Sequence, residues 1–320
     1  MTPPAIRKGM QRDIASGIFI TVFIYAISLH LPLIGIFFAL FLPLPILIYR
    51  IKLGRNAGGI IVVLSSAAMI ALVGPFTMDI VFFIELLVIG FMLSEFAEMN
   101  LSVEKTILYA SLAVLATSGV GMLLFSSFNQ IGITALLSDH ILKSLKLTVA
   151  IYEHMGVSQQ ALNDLSNSLE RIQYVLVRIV PALAIGSTLF IAWANLLMAR
   201  PILLSRKLFY PNLGALNRWK APEALVWGVI CSGILLLIPE KGIKMIGLNG
   251  LIVFMTIYFF EGIAIVSFYF EKKKLPKIFR IGLYSIIALQ QIVCLLVIGI
   301  GFFDTWLNFR KIDARPQETV

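Results

Sequence analysis

Residues 246–270 read IGLNGLIVFMTIYFFEGIAIVSFYF, a run whose one charged residue is Glu261, and Glu271 and Lys272–Lys274 follow it directly. A helix rises about 1.5 Å per residue, and the hydrocarbon core of a bilayer is roughly 30 Å thick, so a run of this length is enough to cross it. Backbone polar groups cannot be left unpaired in lipid, and barrel strands would alternate in polarity, so the run predicts a membrane-spanning helix.

The same pattern recurs along the chain. Apolar runs fall at 14–29, 31–49, 57–74, 80–96, 105–125, 177–198, 223–239, 246–270 and 279–303. The expected fold class is all-α, a polytopic membrane bundle of about nine helices. Composition agrees: 59% of the 320 residues are hydrophobic and 13% charged, against about 45–50% and 25% in soluble domains. The net charge of +9 sits at the ends of apolar runs, which marks topology and excludes a nucleic-acid partner. Arg7, Lys8 and Arg12 precede the first run, which continues to Leu29 without a small-residue cleavage site and reads as a retained helix. Cys231 and Cys294 both lie inside apolar runs, so no disulfide framework arises.

Lysine and arginine placement gives the orientation. With the N-terminus cytoplasmic, 17 of the 26 basic residues fall in cytoplasmic segments, concentrated at 50–55, 200–220 and 272–280. Arg310, Lys311 and Arg315 run against the rule, because a ninth span puts the C-terminus outside. Folding the first two runs into one re-entrant hairpin is the competing topology. Between the runs, 126–176 is too polar to span and too regular for a loop. Leu137, Ile141, Leu145, Val149 and Tyr152 recur at helical spacing, and Leu162, Leu165, Leu169 and Ile172 do so again after Gly156 and a capping Ser158. This predicts an external amphipathic hairpin, resting on the membrane or closing over a cavity, whose second helix continues into the sixth span with a kink near Pro181. The chain divides into a five-helix block at 1–125, the hairpin at 126–176, a four-helix block at 177–311 and a mobile tail at 312–320.

Ionisable groups inside a span are costly unless paired, so each is a candidate site. Glu85 in FFIELLVIG and Arg178 at the start of the sixth run have similar depth and can pair across the bundle. Glu261 can bond Gln290, Gln291 or Tyr284, since the last two runs should be antiparallel neighbours, with Gly262 allowing close approach. These six polar residues are the candidate substrate-binding set. Pro43 and Pro45 in FLPLPILIY break the second span near its cytoplasmic end, either simply ending it or lining a site. Asn195 and Asn249 fall near helix ends. Walker A, HExxH and GxSxG sequences are absent, and His30, His140 and His154 are too far apart to suggest a metal site. No enzymatic activity, cofactor or metal is expected.

The stretches YFFEGIAIVSFYFEKKKLPKIFR at 258–280 and GIGFFDTWLNFRK at 299–311 resemble the YybS-like family of bacterial membrane proteins, through Gly262, Pro276, Gly301, Asp304, Trp306, Phe309 and Arg310. Pro45, Arg50 and Gly54 fit as well, whereas Glu261 departs from an expected amide. That family resembles in turn the substrate-binding membrane subunits of energy-coupling-factor transporters. Gly54, Gly58 and Gly59 loosely match their glycine-rich turn, and the first helix carries Ala15, Gly17 and Thr21 without the AxxxA docking motif of those subunits. The resemblance implies a bacterial plasma-membrane protein, a small-molecule ligand and an ATPase or other membrane partner subunit. The residues themselves give Asp304 and Arg310, flanking the interfacial Trp306, a role in tying down the last helix. Two functions follow as expectations: a solute-binding or transport subunit without its own energy source, or a scaffold for envelope assembly, division or sporulation.

Overall fold

The computed structural model describes residues 4–73, 78–210 and 214–311, so the expected tail at 312–320 lies outside the described residues. Among the described residues the long regular elements are all α-helices: α1 (Pro4–His30), α2 (Pro32–Leu40), α3 (Pro43–Leu53), α4 (Arg55–Val73), α5 (Met78–Glu98), α6 (Val103–Asn129), α7 (Ile133–His154), α8 (Gln159–Ser205), α9 (Leu225–Leu237), α10 (Lys241–Lys272), α11 (Lys277–Leu289) and α12 (Gln291–Leu307). Among them are seven helices long and apolar enough to cross a membrane, with α2 and α3 counted together, or eight if α11 and α12 form one span. The count departs from nine at two places. Helix α9 has 13 residues, about 20 Å, which is too short to cross alone. Helices α11 and α12 are bent by 101° at Gln290.

The chain forms two compact units. In the first, Met1–His140 with Ser187–Leu213, α1 packs on α3 and α4, and α5 packs on α3 and α6. The second span is broken, but early. Its turn is at Phe41 and Leu42, and after Pro43 the chain continues as α3 for 11 residues. Pro43 therefore starts a helix, where its missing N–H is harmless, and does not end one near the cytoplasmic side. The break leaves carbonyls without helical partners. Asn195 answers one of them, its Nδ2 donating to the Leu40 carbonyl at 2.8 Å. Helix α5 approaches the same turn through Gly90, where a Cβ would lie 2.3 Å from the Pro43 carbonyl oxygen.

The second unit comprises Ile141–Gly186 and Gly214–Val320. Helices α9 and α12 both pack on α10. Ala221, Val226, Val229 and Tyr258 form the core of the first contact. The second is a glycine crossing. A Cβ on Gly262 would lie 2.1 Å from the Val297 carbonyl oxygen, and one on Gly301 would lie 2.1 Å from that of Tyr258.

The bent pair returns to where it began. Arg280 in α11 donates to the Leu275 and Phe270 carbonyls, while the Tyr269 hydroxyl donates to the Phe309 carbonyl at 2.8 Å. Both ends of the pair thus meet the C-terminal end of α10.

The segment at 126–176 forms two helices joined at Gly156 (φ +77°) and Ser158, as its stripes suggest. No residue of α7 is buried. Helix α8 runs unbroken through Pro181 for 47 residues.

Candidate functional site

At the start of α10 an open cavity of about 810 Å³ lies against α8. Its apolar body includes Ile185, Met245, Val253 and Phe254, and its polar end is formed by Tyr174, Arg178, Glu240 and Lys241. The volume is in the usual range of small-molecule sites, about 300–1,000 Å³.

Proline shapes this wall. Pro181 lacks an N–H and loosens the turn of α8 around it. Asn249 of α10 reaches that turn from across the cavity. Its Oδ1 accepts from the Ala182 N–H at 3.0 Å, and its Nδ2 donates to the Arg178 carbonyl at 2.9 Å. One amide therefore reads both members of the i, i+4 pair that spans Pro181. It also fixes the backbone of Arg178, whose guanidinium carbon stands 3.4 Å from the centre of the Tyr174 ring. Glu240 caps α10 by accepting from the Ile243 N–H at 2.6 Å. The backbone N–H groups of Gly242 and Ile243 hold its carboxyl below the usual carboxylate range. The acid is thus directed at the helix terminus, while Lys241 forms no ion pair among the described residues and Arg178 keeps donors free of the Tyr174 carbonyl it bonds at 3.1 Å.

The second polar feature is a buried ion cluster near the other end of α10. Asp304 and Glu261 share one guanidinium: Arg310 Nη2 is 2.9 Å from Asp304 Oδ2 and 3.3 Å from Glu261 Oε1. All three side chains are at most 1% exposed. Arg310 Nη1 donates to the carbonyls of Trp219 (2.8 Å) and Asn217 (3.2 Å). The Ala221 N–H donates to Glu261 Oε2 at 3.3 Å, and the Phe309 N–H donates to Asp304 Oδ1 at 2.7 Å. The Asp304–Arg310 tie expected from the sequence is present, and it extends to α10 and to the non-helical segment leading into α9. With all four carboxylate oxygens and both Nη atoms of Arg310 engaged, and only its Nε left without a partner among the described residues, this is a fastening more than an open site.

The sequence pattern of the predicted membrane proteins DUF2232 matches residues 19–305. The chain belongs to this family. The protein named "Uncharacterized protein YybS" from Bacillus subtilis (strain 168) is 25% identical over 251 residues, which cover 78% of this chain and 80% of that protein. No solved structure matches. The family match takes in every residue lining the cavity and both acids of the ion cluster, and stops just short of Arg310. The DUF2232 assignment makes the chain a predicted multi-pass membrane protein of uncharacterised function, in keeping with the resemblance read from its last two spans.

The remaining candidates are spread through the fold. Glu85 on α5 is half-buried and hydrogen-bonds Ser118 of α6, within the first unit, whereas Arg178 takes its partners Tyr174 and Asn249 from the second. Gln290 and Gln291 are exposed at the α11–α12 bend, and Tyr284 stacks edge-on against Phe270 at 5.3 Å. Glu261 bonds Arg310 and Ala221 where a glutamine partner was expected. Trp306 is exposed, as an interfacial residue would be, and stacks on Phe302. In the first unit, Arg50 is buried and ion-paired to Glu95 and Glu98, which explains the acid-rich loop end there. Gly58 is required beside Arg50, since its Cβ would lie 2.5 Å from Arg50 Cγ; Gly59 faces open space. Gly17 and Thr21, on the small-residue face of α1, are buried, with Gly17 against Tyr49 and Ile61.

Asn249 is the cavity residue that sequence reading passed over. Its one signal was a polar amide inside a long apolar run, four residues from the run's start.

Proposed function

We propose that this DUF2232 protein is a solute-binding subunit of the bacterial plasma membrane, without an enzymatic activity or energy source of its own, and that the α8–α10 cavity is its binding site. The observation that carries this reading is Asn249: a polar side chain of α10 bonded to both backbone groups of the α8 turn at Pro181, and so holding the backbone of Arg178 at a cavity of ligand size. Irregular backbone at membrane depth is tolerated where protein covers it or where it lines a cavity. The energy for transport would come from a partner, as the resemblance to energy-coupling-factor subunits implies. Gly17 and Thr21 are already used within the first unit, so such a partner would dock elsewhere.

Purification from native membranes, with mass spectrometry of the bound small molecules, tests the cavity. Wild type should retain a reproducible metabolite or lipid. Val253→Trp, which fills the cavity, should lose it while keeping the same elution profile. Equal retention by both would remove the cavity from the account.

A scaffold is favoured by one observation, the exposed apolar residues of α7, among them Leu147 and Ile151. It predicts co-purifying envelope proteins and an empty small-molecule fraction.

For orientation, the N-terminus is cytoplasmic in this reading, and α9 with the residues flanking it counts as a crossing, because Asn217 before α9 bonds Glu271 at the end of α10; the basic clusters at 50–55, 200–220 and 272–280 then lie on the same side. Because Phe309 meets Tyr269, Arg310 and Lys311 join them, and the exception to the charge rule disappears. In a background lacking Cys231 and Cys294, Lys274→Cys and Lys311→Cys should both resist a membrane-impermeant maleimide in intact cells and both react in inverted vesicles. Opposite labelling of the two would restore a ninth crossing.

A further inference from the structure

We propose that the ligand of the α8–α10 cavity is an anionic amphiphile, an apolar body carrying one phosphate or carboxylate group. This rests on the cavity being a binding site, as argued above, and adds the chemistry of what fills it. The cavity has two unlike ends. Ile185, Met245, Val253 and Phe254 offer no hydrogen bonds and suit an alkyl or isoprenoid body. Arg178 and Lys241 stand at the polar end and supply two positive charges. The acid there, Glu240, offsets one of them, and its carboxylate turns back onto the N–H groups of Gly242 and Ile243, so the polar end keeps a net positive charge. An arriving cation would therefore meet like charges and a carboxylate already engaged.

The guanidinium is also pre-oriented. Tyr174 lies under its face at 3.4 Å, so its edge donors are what remain to meet a ligand. Asn249 is a positioning residue, holding the Arg178 carbonyl from the opposite wall. A solute with charge and no apolar body would leave the body of the cavity unfilled, and a neutral amphiphile would leave the two cations without a partner.

The chemistry is shared by two sources, a free amphiphilic metabolite and the headgroup end of an acidic phospholipid. The test uses the full chain in phosphatidylcholine nanodiscs, with binding read by native mass spectrometry and calorimetry. Decyl phosphate should bind, and decyltrimethylammonium should not compete with it. Inorganic phosphate should bind at least about tenfold more weakly, and so should decyl phosphate to the double variant Arg178→Gln/Lys241→Gln, since charge-assisted hydrogen bonds carry that much. Discs containing phosphatidylglycerol separate the sources: competition with decyl phosphate identifies a bilayer lipid and no competition a free amphiphile, and either supports the class. Equal binding of the cationic probe, or unchanged affinity in the double variant, overturns the proposal. If decyl maltoside binds as tightly as decyl phosphate and Val253→Trp abolishes both, the charge assignment fails and the binding site stands. If no probe binds and Val253→Trp leaves the native small-molecule fraction unchanged, the binding reading fails with it.

Discussion

Replacing Arg310 by methionine is expected to destabilise the protein by about 3–5 kcal/mol, the usual effect of stranding buried charge. Two carboxylates, Glu261 and Asp304, face its guanidinium with almost no exposure, and the substitution leaves them facing each other. The carbonyls of Asn217 and Trp219 lose their donor as well. The same guanidinium ties three parts of the second unit: α10, the exit of α12 and the segment before α9. Loss of the whole cluster should matter less than loss of its centre, because a neutral set buries no unpaired charge. The triple variant Glu261→Gln/Asp304→Asn/Arg310→Met should therefore recover part of the stability lost by Arg310→Met. Glu261→Gln alone should be mild, since Asp304 remains to pair with Arg310 at 2.9 Å. Thermal unfolding in detergent, followed by size-exclusion chromatography, reads all of these. Equal melting temperatures for wild type and Arg310→Met would show that the cluster is not formed.

The second large effect is expected at Gly262. Its Cβ position is 2.1 Å from a main-chain oxygen of α12, and Gly301 repeats the contact from the other side. Main chain cannot turn aside as a flexible side chain can, so Gly262→Leu must separate α10 from α12. The effect should exceed the roughly 1–3 kcal/mol of ordinary overpacking and remove most of the folded, monodisperse protein. Gly299→Leu is the control: it lies on the partner helix α12, two residues from Gly301, and nothing comes within 4 Å of its Cβ position. If the two variants behave alike, the crossing is not at these glycines.

The spans were legible because lipid imposes a length and a composition that few other environments do. The α7–α8 pair was legible for a related reason: its apolar stripes keep helical spacing through a polar stretch. Glu261 stood out as the charge in an apolar run, but its partners were not readable. The glutamine assignment assumed one straight helix over 279–303. The chain instead bends at Gln290, with no proline or glycine between Gly282 and Gly299 to announce it. That bend brings Asp304 and Arg310 to Glu261 and leaves Gln290 and Gln291 exposed.

The two asparagines carry the same lesson. Asn195 serves the break before Pro43 and Asn249 the turn at Pro181, each from a helix far away in sequence. A polar side chain in an apolar run signals that something nearby needs a hydrogen bond, while its partner is visible only after the helices pack. Pro181 shows the converse. Its sequence marks a turn that lacks one backbone donor, and α8 continues as a helix through it with Asn249 bonded to both the Arg178 carbonyl and the Ala182 N–H. Arg50 is a further case. Glu95 and Glu98, acids at the end of an apolar run, neutralise that buried cation from a distant helix.

The central claim is that the α8–α10 cavity holds a small molecule. It is tested most directly by placing the photoreactive residue p-benzoylphenylalanine at Ile185, in the cavity wall, and irradiating native membranes. The account predicts adducts of small-molecule or lipid mass on the peptide containing residue 185. Cross-links to another protein at that position, or an unmodified peptide after full photoconversion, would contradict it.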